Sequence, residues 1–244
     1  MSYDSQRGGM KKRIACLLVL SATVLLLPKA GFCIPTLQLY IEDGFYDHTD
    51  ESWFTISSDF ELTVFATEST PDAILCVALT GELAGEIYGN GTPNELVIVI
   101  DGVSYYEEDF VFGYPPLATT TDQNPGGDDL APHGVYPGYY LEVSPVAITD
   151  PDQIFDTQPL FPDETIVDPE TKNGYSYVFD IDDALAGVHF DLYTLNPDGT
   201  IDDFAPFSHD AGTVVPEPAT LLLLGSGLMI LPITRYLTRK RIQR

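Results

Sequence analysis

The fold is decided by the stretch Ala73-Ile74-Leu75-Cys76-Val77-Ala78-Leu79-Thr80, which is apolar up to its last residue. The turn residues Ser69-Thr70-Pro71-Asp72 precede it. A short, continuous apolar run bounded by turn residues is typical of a strand whose two faces are both buried. The stretch therefore predicts a central strand, with a neighbouring strand on either side.

Around this stretch, the chain carries further runs in which apolar and polar residues alternate. In the clearest run, Leu37, Leu39 and Ile41 alternate with more polar residues, which is the pattern of a strand with one buried face. Further strands are predicted over residues 53–56, 60–67, 95–101, 139–143, 175–181 and 188–193. Turn residues separate the runs, and no stretch between the two chain ends shows a 3.6-residue period of helical length. The sequence therefore predicts an all-β domain, an antiparallel β-sandwich.

Two longer stretches are rich in proline, glycine and aspartate. Residues 110–139 contain five prolines and the run Gly126-Gly127-Asp128-Asp129, and residues 144–170 have a similar composition. Proline removes a backbone donor and fixes φ, which disfavours the interior of a helix or a central strand. Both stretches are therefore predicted to be long loops of the sandwich.

The C-terminal end has three parts in a fixed order. The motif Val215-Pro216-Glu217-Pro218 interrupts regular structure, because two of its residues lack an N–H. The segment after it is uncharged from Ala219 to Ile233. Extended past Arg235 to Leu237, it has about 19 residues and would be roughly 28 Å long as a helix, close to what a membrane span needs. The apolar residues of this predicted transmembrane helix include Ala219, Leu221, Leu224, Leu228, Ile230 and Ile233. A basic tail follows and marks the cytoplasmic side: Arg235, Arg239, Lys240, Arg241 and Arg244.

The order of motif, apolar helix and basic tail resembles the PEP-CTERM sorting signal of Gram-negative bacteria. The resemblance implies recognition by exosortase, a membrane transpeptidase-like cysteine protease, with cleavage near Pro216-Glu217-Pro218. It also implies transient anchoring by the C-terminal helix, followed by deposition at the cell surface alongside exopolysaccharide. The alternative interpretation is an ordinary tail anchor that follows a proline-containing stalk.

The N-terminal end has the pattern of a secretory signal peptide. The cations of Met10-Lys11-Lys12-Arg13 precede an apolar run over residues 14–27, which is short for a membrane span. The secretion translocon is therefore an expected partner, and Met10 is an alternative start. Cleavage is expected after Cys33, without lipidation of that cysteine, because Phe32 stands where a lipoprotein signal has a small residue. The predicted domains are a signal peptide over 1–33, an exported domain over 34–212 and a sorting signal over 213–244.

The exported domain is strongly acidic. Lys172 is the only lysine or arginine between residues 34 and 214, and it stands against 35 aspartates and glutamates, which leaves a formal charge of −34 with neutral histidines. Binding to nucleic acid requires cations that displace counterions from phosphates, so nucleic acid is excluded as a partner. Divalent cations and neutral polysaccharides remain as candidate partners. The favoured interpretation is that the acidity keeps an exported protein soluble.

Several blocks of the exported domain resemble the bacterial proteins called choice-of-anchor N. The blocks are residues 37–42, 46–47, 51–53, 131–136, 189–193 and 204–211. They cover a minor part of the domain but follow its length in order. In that family the exported domain is shared while the anchoring signal varies. The resemblance therefore implies an exported β-domain and no particular chemistry.

Calcium is the cofactor that the acidic loops would take, because hard cations bind several carboxylate or carbonyl oxygens. The candidate ligands are Asp180, Asp182, Asp183, Asp198 and Asp202, with Asp128 and Asp129 as a second group. Residues 196–203 resemble the middle of an EF-hand loop, but Thr194 and Ala205 stand where carboxylates are needed. Asp198-Gly199 is therefore interpreted as a hairpin turn. A solvated acidic face is the alternative to any calcium site.

No catalytic residue is predicted, and the protein is expected not to be an enzyme. Cys16 and Cys33 belong to the signal peptide, so Cys76 is the remaining cysteine and is interpreted as a small core hydrophobe. No zinc-ligand spacing appears among the histidines, which are His48, His133, His189 and His209. No serine of the exported domain lies in a nucleophile elbow.

Two functions remain for the exported domain. The first is a structural or matrix-associated surface protein, delivered by exosortase. The second is a carbohydrate-binding or calcium-binding module, in which exposed tyrosines and Trp53 form platforms for sugar rings. The candidate tyrosines are Tyr105, Tyr106, Tyr139 and Tyr140.

Overall fold

The computed structural model of the chain describes residues 34–90, 95–119, 130, 134–159, 169–206 and 209–214. The predicted signal peptide and almost all of the predicted sorting signal lie outside these residues, as do Asp128, Asp129 and His133. Both end segments therefore stay predictions. None of the helices in the described ranges combines the length and the hydropathy of a membrane span.

The described residues form fourteen strands and one α-helix. The strands are β1 Leu37–Ile41, β2 Phe45–Asp47, β3 Ser52–Thr55, β4 Phe60–Ala66, β5 Thr70–Leu79, β6 Leu96–Ile100, β7 Val103–Tyr106, β8 Val111–Gly113, β9 Gly138–Ile148, β10 Asp150–Phe155, β11 Thr171–Asp182, β12 Val188–Leu195, β13 Ile201–Phe204 and β14 Asp210–Thr213. The helix, α1, spans Gly81–Asn90, and a short 3-10 turn spans Glu107–Asp109. The all-β class predicted from the alternating runs is confirmed.

The strands form two sheets. The first has the order β1-β4-β11-β6-β7, with β10 also paired to β11; the second has the order β2-β3-β14-β12-β5-β9-β8, with β13 also paired to β12. The pairs are antiparallel except that β14 runs parallel to β3. The last described strand is therefore an interior strand, held between β3 and β12.

The two sheets pack on one hydrophobic core, which is the arrangement of a β-sandwich. Leu39 and Leu62 of the first sheet and Leu75 and Phe190 of the second are fully buried members of the same cluster. The stretch that predicted a central strand forms most of β5, which pairs with β12 on one side and β9 on the other. The prediction of a central strand is confirmed.

The outer face of β5 is buried under a second cluster. Ile74, Cys76 and Ala78 point away from the main core, because successive residues of a strand face opposite sides of the sheet. The residues that cover them come from neighbouring strands and from the proline-rich stretch after β8: Tyr114, Leu130, Tyr136, Tyr140 and Tyr193. Both faces of the apolar run are therefore buried, one in the core between the sheets and the other under this second cluster.

The helix α1 was not predicted and is a correction to the expectation of no helix. Its buried contacts come from Leu83 and Ile87, which lie one turn apart on the same side. Gly85 and Gly89 interrupt the rest of the pattern, so one apolar pair was too short a signal for a period of 3.6. The first turn of the helix is closed by the Ala84 N–H, which donates to the Thr80 carbonyl at 2.9 Å.

The prediction of a loop over residues 144–170 was wrong for its first half. β9 continues to Ile148, and β10 follows at once. Pro145 is tolerated because the β5–β9 register shifts next to it, which is the behaviour of a bulge. Pro151 is tolerated because β10 is an edge strand, paired with β11 alone.

Candidate functional site

The candidate site is a group of buried polar side chains on the outer face of the second sheet. β12 alternates, so that Phe190 and Leu192 enter the core between the sheets while His189 and Asp191 face the other way. The exposed fraction of the side chain is 8% for His189 and 3% for Asp191. Charged groups are rarely buried to this extent unless they are paired or bind a metal.

The sheet register adds a second carboxylate. In β14, Gly212 lies opposite His189 and Ala211 opposite Phe190, so Asp210 comes next to Asp191 on the same face. His189 Nε2 lies 3.4 Å from Asp191 Oδ2 and 3.5 Å from Asp210 Oδ2. One ligand atom from each of these three residues fits within a span of 4.8 Å. We refer to His189, Asp191 and Asp210 as the buried triad.

A tyrosine from the covering segment closes the buried triad. The Tyr136 hydroxyl donates to Asp191 Oδ2 at 2.7 Å and lies 3.2 Å from Cys76 Sγ. Cys76 lies directly opposite Asp191 in the β5–β12 ladder, which explains why the three side chains meet. Burial, followed by the nearby charge of Asp191, raises the pKa of the Tyr136 hydroxyl well above its usual value, so this group acts as a proton donor to the carboxylate.

The buried charges shift two pKa values in the triad. Burial lowers the pKa of His189, but the Asp191 carboxylate and then Asp210 raise it more, to a net value of about 9. Burial raises the pKa of Asp210 to about 7, against the lowering effect of His189 and a hydrogen bond from Ser52. At neutral pH the imidazole is therefore cationic, unless another cation takes the place of its proton.

The prediction that Cys76 is a core hydrophobe is confirmed. Its side chain is fully buried, and burial followed by the charge of Asp191 raises the pKa of the thiol well above its usual value. The thiolate is the nucleophilic form of cysteine. A thiol held in this state does not supply a nucleophile.

The aspartates predicted to bind calcium lie at two different places. Asp180, Asp182 and Asp183 lie at the end of β11, in the first sheet, beside Asp59 and Asp101. Asp101 Oδ1 accepts a hydrogen bond from the Asp180 N–H at 2.9 Å, and Asp59 Oδ1 accepts one from the Asp183 N–H at 3.0 Å. Desolvation, and then the charges of Asp180, Asp59 and Asp183, raise the pKa of Asp182. Like charges thus gather at this end of the sheet.

The other predicted calcium ligands belong to the second sheet. Asp198 lies in the turn between β12 and β13, where its carboxylate accepts hydrogen bonds from the Thr200 N–H at 3.2 Å and the Thr200 hydroxyl at 2.7 Å. The hairpin turn predicted at Asp198-Gly199 is confirmed by the antiparallel pairing of the two strands. Asp202 is an exposed residue of β13. Among the described residues, none of the predicted calcium ligands joins a set of three ligand atoms within 4.8 Å.

The predicted sugar platforms are partly wrong. Tyr140 is fully buried, and Trp53 is 6% exposed, so neither offers a ring face to solvent. Tyr139 and Tyr140 are neighbours on one strand, and so are Tyr105 and Tyr106, so each pair points to opposite faces of its sheet. Adjacent residues of a strand do not make one platform. Tyr106 is the exposed member of its pair, and Tyr139 is half-buried.

An exposed group of aromatic rings does form around Tyr139. The Tyr88 ring of α1 stacks on Tyr139, with the centroids 3.7 Å apart and the planes inclined by 16°. Phe112 of β8 lies opposite Tyr139 in the ladder and meets its ring edge-on at 5.3 Å. Phe112 is 49% exposed and Tyr88 is 37% exposed. We refer to Tyr88, Phe112 and Tyr139 as the aromatic patch.

Sequence reasoning missed the buried triad. The zinc-ligand pattern that pairs two histidines at short spacing is absent, because no histidine has another histidine two to four residues away. The usable signal was His189-Phe190-Asp191 inside a predicted strand, where residues two apart share a face. Asp210 was beyond prediction, because the strand that carries it had not been predicted.

Residues 214–235 match the family model of the PEP-CTERM protein-sorting motif. The match supports the prediction made from the C-terminal motif, and it indicates an exported protein that is sorted by exosortase. No match to this chain was found among curated proteins or among solved structures. The resemblance to the choice-of-anchor N proteins stays a prediction.

Proposed function

We propose that the chain is an exported surface protein with a structural role next to exopolysaccharide, and that exosortase delivers it there. The observation that carries the proposal is the sorting motif over residues 214–235. The acidic domain suits this role, because a formal charge of −34 between residues 34 and 214 keeps neighbouring copies dispersed outside the cell. Its strands supply a rigid body, and the role asks for no catalytic group.

The junction between the domain and the motif fits a processed protein. The chain stays in the sheet up to Val214, whose N–H donates to the Thr55 carbonyl at 3.0 Å. The Thr213 hydroxyl donates to the Leu185 carbonyl at 2.6 Å and accepts from the Val188 N–H at 3.0 Å. These bonds lie on the domain side of Pro216-Glu217-Pro218. Cleavage near that motif would therefore leave β14 in place.

The test is to follow processing of the full chain in a host with and without exosortase. Replacing Pro216 and Pro218 together by alanine should leave the chain at full length in the membrane fraction, as should the loss of exosortase. Pro197→Ala, in the exposed turn between β12 and β13, is the matched control and should be processed normally. Shortening of the double variant at the normal rate would refute the proposed sorting route.

The aromatic patch favours a second candidate function, the binding of a polysaccharide. Aromatic rings that are partly exposed stack on the apolar faces of sugars, and Phe112 and Tyr88 both keep a substantial part of their rings in contact with solvent. The formal charge of −34 between residues 34 and 214 makes a neutral or cationic polymer the better ligand. The patch replaces the predicted pair of Tyr139 and Tyr140, of which Tyr140 is buried.

A glycan array probed with the full chain in detergent tests this second function. Phe112→Ala should abolish any reproducible binding. Phe45→Ala is the matched control, since Phe45 is 48% exposed but lies on β2, at the other end of the second sheet. Equal loss of binding in both variants would show that the patch is not the binding site.

A further inference from the structure

We propose that the buried triad of His189, Asp191 and Asp210 is a structural site for a first-row divalent cation, with Zn²⁺ as the best-fitting ion. The three residues supply one imidazole nitrogen and two carboxylate oxygens within a span of 4.8 Å. A mixed set of nitrogen and oxygen ligands suits zinc, whereas calcium takes oxygens only. This site is different from the exposed aspartates that the sequence suggested for calcium.

Two of the three distances in the triad have the lengths expected between ligands of a shared ion. The two nitrogen–oxygen separations are 3.4 and 3.5 Å. A charge-assisted hydrogen bond between these groups would be about 2.7–2.9 Å long. Ligands about 2.0–2.2 Å from a tetrahedral zinc are separated from one another by about 3.3–3.6 Å. The two separations from His189 lie in that range, and the third, between the two carboxylates, is within 4.8 Å.

The charges of the triad also balance with a dication. No lysine or arginine of the described residues balances the two carboxylates of the triad, because Lys172, the only such residue between 34 and 214, is exposed on β11 in the other sheet. Two carboxylates, a neutral imidazole and one divalent cation sum to zero. This neutral combination is compatible with a buried site, where uncompensated charge is costly.

The surroundings hold the ligands in place. The Tyr136 hydroxyl donates to Asp191 Oδ2 at 2.7 Å, and Ser52 hydrogen-bonds to the Asp210 side chain. Such outer contacts orient metal ligands in known sites. Since the ligands come from β12 and β14, the ion would fasten the last strand before the sorting motif to the centre of the sheet. Burial of all three ligands keeps the ion away from external substrates, which suits a structural role.

The experiment uses the full chain in mild detergent, freed of metal by a chelator and then titrated with Co²⁺. We expect visible ligand-field bands that saturate at one equivalent and disappear on addition of Zn²⁺. Zinc at about a hundredfold excess over its dissociation constant should raise the Tm by about 5–10 °C. His189→Gln should abolish the bands and the shift in Tm.

His209→Gln is the matched control, because it removes another buried histidine, whose Nε2 lies 2.9 Å from Asp156 Oδ1 outside the triad. It should keep the bands and the rise in Tm. Absence of bands in the wild-type chain would overturn the proposal, and this result does not depend on the folding of any variant. Bands that persist in His189→Gln would overturn it as well.

Discussion

Removal of a single hydroxyl, in Tyr136→Phe, tests how much the buried triad depends on its cover. In the wild type this hydroxyl donates to Asp191 Oδ2 at 2.7 Å, where both groups are buried. A hydrogen bond to a charged group contributes about 1.5–3 kcal/mol to stability. We therefore expect the variant to lose about 2 kcal/mol of the free energy of unfolding, or about 4–8 °C in Tm for a domain of this size.

Tyr140→Phe is the matched control for this prediction. Tyr140 is equally buried in the same cluster, but its hydroxyl donates to a neutral acceptor, the Tyr114 carbonyl, at 2.9 Å. A bond between neutral groups contributes about 0.5–1.5 kcal/mol, so this variant should lose about half as much. Both changes remove one oxygen and keep the ring. The difference between the two losses of stability therefore measures how much more a hydrogen bond to a charged acceptor contributes.

The assay is urea denaturation of the two variants and the wild type, followed by circular dichroism with a chelator present. The chelator removes any contribution of bound metal from the comparison. The slopes with urea should be equal, so that the midpoints report stability alone. If Tyr136→Phe is no less stable than Tyr140→Phe, the Asp191 carboxylate does not depend on its hydrogen bond and the reasoning fails.

Three further predictions concern other parts of the domain. Cys76 is fully buried and the pKa of its thiol is raised, so it should resist alkylation in the native chain and react after unfolding in urea. Mass spectrometry would measure the labelling, and rapid labelling of the native chain would contradict the burial. Gly174→Ala should lower the free energy of unfolding by about 1–3 kcal/mol, because the new Cβ would lie 2.7 Å from a backbone oxygen of β4. In the control Gly81→Ala the new Cβ meets nothing within 4 Å, so the same thermal melts should show no loss of stability. Burial raises the pKa of Asp156, but hydrogen bonds from His209 and a backbone N–H lower it more, so the net pKa is lowered. The stability that this carboxylate contributes is therefore present above its unfolded pKa and is lost as the pH falls through the lower folded pKa. In acid titrations, His209→Gln should therefore unfold at a higher pH than the wild type, and an unchanged midpoint would contradict the pairing.

Local patterns were enough for most of the strands. The apolar run that became β5 specified a strand with two buried faces. The alternation at Leu37–Ile41 specified a strand, but Gln38 on its polar face is also buried, because it hydrogen-bonds to the backbone of Phe155 and Thr157. Prediction failed at residues whose secondary structure depends on their position in the assembled sheet. Pro151 is compatible with a strand at the edge of a sheet and incompatible with one in the middle, and its position is known only once the sheet is assembled.

The sequence alone determined the class of the domain, its charge and the sorting motif, since each is a property of consecutive residues. The tertiary structure alone decided which polar side chains meet. His189 and Asp191 share a face because strands alternate, but Asp210 joins them because β14 inserts between β3 and β12. That insertion depends on strand pairing between distant segments. Such pairing is stabilised by contacts between neighbouring strands, which form only when the sheet is assembled.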